Sequence, residues 1–241
     1  GLLVLPLAVV ALVVAAAGYG KTTLLAQWRH RLAEGGALVG WLTLDENDAD
    51  PLQLLSGVAL ALARAGVDLG PLESAAAKGF ADVQPRAALA ALVGGIARQG
   101  RPVVLILDDY HRAQSPPIDR LVDLLIAHRP PGLHVVLSSR VRPDIAIASL
   151  RAQGQVHELG AAALRFSVSE ARGLFPPGLA DPELSRLTDR TEGWAVALQL
   201  ARLWLGEGAA RADLLERFSG RTTEVAEYLA EQVLRGFDES T

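Results

Sequence analysis

The sequence predicts an α/β fold: a parallel β-sheet sandwiched by helices, followed by a small helical domain. Three observations predict it. Short, largely apolar runs (ALVVAAA, ALVGWLTL, VVLILD, LHVVLSS) recur through the first two thirds of the chain. Strands apolar on both faces belong to parallel sheets that are covered on both sides. Helical patterns separate these runs, and strand–helix alternation is how a parallel sheet is wired. After about Leu164 the alternation stops and only helical patterns follow.

Taken in order, residues 11–17 read as a first strand. Residues 21–32 read as a helix stopped by Gly35 and Gly36. Residues 37–44 form a second strand that runs into the acidic loop DENDAD. Asp50-Pro51 joins a capping carboxylate to a first-turn proline and opens a helix to about Ala65. After a Gly- and Ala-rich connection, residues 84–99 form another amphipathic helix. Arg101-Pro102 leads into VVLILDDYH, an apolar strand with two carboxylates at its end. Pro117 opens the helix IDRLVDLLIAH, which Pro130-Pro131-Gly132 closes. LHVVLSSR, from Leu133, is a further strand, and residues 156–159 a short fifth. Residues 167–175, 182–205 and 222–234 read as helices. There is no internal repeat and no low-complexity tract.

Composition bounds the function. The 241 residues suffice for one large core and a smaller appended domain. Half are hydrophobic and 21% charged, as in a globular protein. The net charge of −4 and the pI near 5.8 offer nucleic acid no basic face. There is no cysteine, which removes disulfides, thiolate catalysis and Cys-based zinc sites, and fits a reducing cytoplasm. There is no methionine even at position 1, so the chain reads as a piece of something longer. The apolar stretch 1–17 is about as long as the shortest spanning helices. Pro6 in its middle, the missing basic flank and its direct run into a polar loop favour a buried strand over a membrane segment.

Residues 15–22, AAAGYGKT, follow A-x-x-x-x-G-K-T. Ala15 stands where the phosphate-loop pattern has glycine, and Gly18, Gly20, Lys21 and Thr22 are in place. Glycines let backbone N–H groups turn inward as a nest for phosphates. The helix that follows points its positive end at them. Lys21 would put a cation on the β- and γ-phosphates, and Thr22 a hydroxyl on Mg²⁺. Such a loop needs a carboxylate on a neighbouring strand to hold the metal. Asp108, the first acid after VVLIL, takes that role, and Asp109 is placed to orient or deprotonate the attacking water. Arg140, after Ser138-Ser139 at the end of LHVVLSS, is the candidate γ-phosphate sensor, with Ser139 beside it and Arg142 as its competitor. All three elements fall at strand carboxyl ends, where open α/β sheets bind ligands.

The five histidines show no metal-ligand spacing, and His111 reads as structural. The loop Asp45-Glu46-Asn47-Asp48 reads as a solvated strand exit. No guanine-reading N-K-x-D motif is present.

AAAGYGKTTLLAQW, GWLTLDENDADP, LILDDYH, LSSR with RPDI, LRF and TEGWAVALQLA, in this order and spacing, resemble the nucleotide-binding core of MalT-like regulators. These are STAND-class signal-transduction ATPases, often ending in a LuxR-type helix-turn-helix. The resemblance covers residues 10–234. It implies ATP rather than GTP, with Mg²⁺. It implies a resting ADP state, an active state with ATP plus an inducer, self-association, and slow hydrolysis as a reset. DNA would be touched only through a C-terminal domain absent from this chain, and no membrane is implied.

By position, the phosphate-binding stretch is Ala17, Gly18, Tyr19, Gly20, Lys21, Thr22 and Thr23. Thr22 and Asp108 match the metal site, Asp109 and Arg140 the catalytic positions. Gly193-Trp194-Ala195 matches a helical-domain motif near the nucleotide base. Ala195 replaces the proline of other branches, which counts against an adenine contact, and Trp194 reads as core. The implied domains are 1–163 for nucleotide, 164–220 helical, and 221–241 the start of a winged-helix-like domain. The alternatives are a remodelling or transferase P-loop ATPase, and a nucleotide-binding scaffold without turnover.

Overall fold

The computed structural model describes residues 8–81, 83–175 and 179–206. They form two compact units. One joins the described residues up to Ala16 with Lys21–Gly160; the other joins Ala17–Gly20 with the described residues from Ala161 onward.

The larger unit is built on five strands: β1 (Val10–Val14), β2 (Leu38–Thr43), β3 (Val103–Asp108), β4 (Leu133–Ser139) and β5 (Val156–Gly160). Their order is β2-β3-β4-β1-β5, and each neighbouring pair is parallel. Helices α1 (Lys21–Glu34), α2 (Pro51–Arg64), α3 (Pro71–Ala77), α4 (Pro85–Ala97), α5 (Pro116–Ala127) and α6 (Ala148–Ala152) supply the crossovers. Every residue of β3 is buried, as its wholly apolar run requires. Leu12, Leu105, Leu107, Val135 and Leu137 share one core with Leu62 of α2, Leu92 of α4 and Val122 of α5. Truncating any one of these leucines to Ala would cost about 2–5 kcal/mol.

The strand reading of the apolar N-terminal stretch holds over Val10–Val14, where β1 pairs with β4 on one side and β5 on the other, and the strand ends three residues before the expected Ala17. Among the described residues, no helix is long and apolar enough to cross a membrane. The Asp50-Pro51 signal also holds: Asp50 Oδ1 accepts from Leu52 N at 2.9 Å and Gln53 N at 3.0 Å.

Three expectations are corrected. The connection after α2 contains a helix, α3, opened by Pro71 at its first turn. Helix α5 starts at Pro116, one residue before Pro117. The single helix over 182–205 is two, as shown below.

The smaller unit carries α7 (Ala161–Leu164), α8 (Val168–Arg172), α9 (Asp181–Arg190) and α10 (Ala195–Gly206). Its core is Ala171, Phe175, Leu184, Leu187, Trp194, Ala197, Leu198 and Ala201. Gly193 separates α9 from α10. Its φ of +67° is left-handed, and its N–H bonds Thr188 O at 2.9 Å. The helix expected over 222–234 lies outside the described residues.

Candidate nucleotide-binding site

The sheet order puts the ends of β3, β4 and β1 side by side. Val13 pairs with Ser138 and Val14 with Ser139, while Leu107 pairs with Leu137. The last residues of all three strands therefore lie at one level, and Ala15 N extends the ladder to Ser139 O at 3.2 Å. Lys21, Thr22 and Thr23 form the first turn of α1, whose leading N–H groups have no partners within the helix.

Lys21 is buried. Its Nζ donates to Ala15 O at 2.9 Å and Ala16 O at 3.1 Å. Burial pushes the ammonium below its ordinary range; Asp109 and Asp108 oppose the shift and Arg140 adds to it. Beside it, Thr22 Oγ1 donates to Asp108 Oδ2 at 2.9 Å, and Ser138 Oγ donates to Asp108 Oδ1. Asp108 is thus a buried carboxylate with a hydroxyl on each oxygen. Oxygen donors of this kind suit Mg²⁺, so Thr22 and Asp108 fit the ion expected there.

Asp109 adopts a left-handed conformation, φ 56° and ψ 39°. Aspartate tolerates this region better than most residues. Its N–H donates to Asp108 Oδ1 and Ser138 Oγ, both at 3.1 Å, which holds the turn. Tyr110, fully buried, anchors the next residue by donating to Asp119 Oδ1 at 2.7 Å. His111 then brings Nδ1 to 3.9 Å from Asp109 Oδ1, a contact and not a hydrogen bond. Burial lowers its pKa against the pull of Asp109, and Arg140, Lys21 and Arg112 lower it further.

Arg140 is exposed at the end of β4, near enough for its charge to act on both Lys21 and His111. Arg142, the alternative at this position, bonds Glu158 at 2.8 and 3.0 Å, and Arg151 bonds the same carboxylate at 2.6 and 2.9 Å. Ser139 is buried but accepts Val141 N at 3.3 Å. The serine that meets Asp108 is Ser138, which the sequence did not single out. Thr23 is exposed in the first turn of α1. The acidic loop after β2 is a capping box, with Asp45 accepting from Asn47 N at 2.7 Å. Among the described residues, no group of three His, Cys, Asp or Glu side chains could hold a metal.

The middle of the loop belongs by its contacts to the helical unit. Gly18 and Gly20 have φ of +76° and +79°. Ala17 O accepts from Trp194 Nε1 at 3.1 Å, and Gly18 O from Val196 N at 3.0 Å. The Tyr19 ring lies 6.4 Å from that of Trp194, tilted by 42°.

A glycine-bearing loop between a buried strand and a helix, with a hydroxyl-bound acid at the end of the next strand but one, defines a P-loop nucleotide-binding ATPase. The profile of the AAA ATPase domain family matches residues 7–138, over half of the chain. The chain belongs to this family and is a MalT-like P-loop ATPase domain. It is 33% identical over 241 residues to the HTH-type transcriptional regulator MalT of Cronobacter sakazakii, covering 96% of this chain and 26% of that protein. It is 32% identical over 227 residues to the serine/threonine-protein kinase PknK of Mycobacterium tuberculosis, covering 92% of this chain and 20% of that one. The chain thus spans about a quarter or less of these relatives. Among solved structures it is similar to the Aeropyrum pernix ORC1 protein in complex with DNA, with a TM-score of 0.50 at 15% identity over 86% of this chain and 58% of that one. The Pyrobaculum aerophilum Cdc6p structure gives 0.50 at 13% identity, over 84% and 57%. These two likenesses concern the fold alone.

Proposed function

We propose that this chain is the nucleotide switch of a signal-responsive transcriptional regulator acting in the cytoplasm. It holds ADP at rest and binds ATP with Mg²⁺ when an inducer acts. It self-associates in that state and hydrolyses ATP slowly to reset. Residues 17–23 would cradle the phosphates, with Lys21 on the β- and γ-phosphates. Thr22 and Asp108 would hold Mg²⁺, which neutralises charge on the phosphates. Asp109 would take the proton of the attacking water, and Arg140 would meet the γ-phosphate. The observation that carries the reading is the Thr22–Asp108–Ser138 cluster beside Lys21, with Asp109 held at its edge.

The relatives support a module combined with different outputs. Near-equal identity to a protein named as a transcriptional regulator and to one named as a kinase is confined to about a quarter or less of each. Nothing in the geometry favours a motor or transferase over this reading.

The test is direct. The chain is purified without added nucleotide, denatured, and the released small molecules are separated; stoichiometric ADP is expected. Titration with ATP and Mg²⁺ follows, with Lys21→Ala losing about a hundredfold in affinity, the equivalent of two charge-assisted hydrogen bonds of ~1.5 kcal/mol. Unchanged affinity would sink the site assignment. Turnover at or above about 1 s⁻¹ without inducer, in the kinase range, would favour the motor or transferase class.

A further inference from the structure

We infer that Trp194 is a positioning residue of the phosphate loop, acting on its backbone rather than on a nucleotide base. The inference rests on the reading of residues 17–23 as a phosphate site.

Gly193 stands between α9 and α10. Its left-handed φ turns the chain out of α9, and its carbonyl accepts from Phe166 N at 2.8 Å. A Cβ there would stand 2.4 Å from Phe166 O and 2.8 Å from Phe166 N, so glycine is required twice over. Trp194 N then bonds Thr191 O at 2.8 Å, and α10 begins at the next residue. The Trp194 ring is fixed in the helical core, 7% exposed.

An indole has a single donor and no acceptor. Here that donor goes to Ala17 O, while Val196 N, in the first turn of α10, takes Gly18 O. The approach is close: a Cβ on Gly18 would lie 2.6 Å from Val196 Cγ1 and 2.9 Å from Trp194 Nε1.

Peptide units are planar, and none here is cis. A trans unit points its C=O and N–H in opposite directions. The carbonyl of Ala17 shares its plane with Gly18 N–H, and the carbonyl of Gly18 with Tyr19 N–H. Holding these two oxygens toward Trp194 and Val196 therefore aims two consecutive N–H donors away from them. Those are donors that a phosphate-binding nest uses. Trp194 thus sets the direction of loop donors that read phosphate and carry no information about the base.

The test compares ATP with inorganic tripolyphosphate, which has phosphates and no base, on the full 241-residue chain by calorimetry with Mg²⁺. Trp194→Phe keeps an aromatic ring and loses the N–H. Replacement of Trp194 by benzothienylalanine keeps the bicyclic shape and loses the same donor, which guards against a packing defect in the phenylalanine variant. The expected result is a loss of about five- to tenfold, the size of one hydrogen bond, by the same factor for ATP and for tripolyphosphate in both variants. A loss confined to ATP would mean a base contact and overturn the inference. Unchanged affinity for both ligands would overturn it too, while leaving the phosphate site standing. Failure of the wild-type chain to bind either ligand would overturn the site reading and this inference together.

Discussion

The hydroxyl of Ser138 is bonded to Asp108 Oδ1 from the adjacent strand, while Thr22 Oγ1 holds Oδ2 at 2.9 Å. The acid that ends β3 is therefore oriented from two sides by residues far apart in sequence. Removing either hydroxyl leaves a buried carboxylate short of one donor, at about 1–3 kcal/mol. Ser138→Ala and Thr22→Ala share one partner, so their effects on urea unfolding should not add. A coupling energy above about 0.5 kcal/mol in the double-mutant cycle is expected.

Asp109 separates conformation from chemistry. Asparagine also accepts the left-handed region, so Asp109→Asn should unfold at the wild-type urea concentration. It lacks the basic carboxylate, so single-turnover hydrolysis should fall by about 10²-fold or more with ADP affinity unchanged. Asp109→Val should instead lose stability by about 1–3 kcal/mol, because a β-branched residue is strained at φ 56°.

Tyr110 gives a pH signature. Burial raises its pKa above the ordinary 10, and the hydrogen bond to Asp119 raises it further. Above pH 10 the unfolded tyrosine loses its proton while the folded one keeps it. The native state then binds more protons, so stability falls with rising pH, by up to ~1.4 kcal/mol per pH unit from this one group. Tyr110→Phe should remove that component between pH 10 and 11. At pH 7 it should cost about 1–2 kcal/mol through the lost bond to buried Asp119. Urea melts at pH 7, 10 and 11 measure both.

Gly193 and Gly36 make a matched pair. Both are left-handed, but a Cβ at Gly36 meets nothing within 4 Å, whereas one at Gly193 meets the Phe166 backbone. Gly36→Ala should lose about 1–2 kcal/mol, the left-handed penalty alone. Gly193→Ala should lose clearly more, because backbone cannot rotate aside as a side chain would. Thermal melts of the two variants decide it.

Much of this was legible in the sequence, for physical reasons. VVLILD had to be a doubly covered strand, and Asp50-Pro51 had to open a helix. The spacing of Gly18, Gly20, Lys21 and Thr22 exposed the loop, and the position of Asp108 exposed its partner. What was hidden depended on pleat phase or on distant pairing. Whether Ser138 or Ser139 faced Asp108 turns on a one-residue phase that composition does not fix. Arg142 looked free until β5 brought Glu158 to it. The break between α9 and α10 had a signal in Gly193, but the apolar periodicity running on through WAVALQLA masked it.

The sheet order has a consequence for how the molecule breathes. Strands β1, β3 and β4 each have a neighbour on both sides, while β2 and β5 form the rims. Amide protons on the rims should exchange with solvent first, and those of the three inner strands last, near the limit set by global unfolding. Asp108 and Ser138 thus sit on the slowest-opening part of the protein. Binding at this end of the sheet would then have little strand entropy left to remove, because the acid and the serine that orients it are held by the last part of the sheet to open.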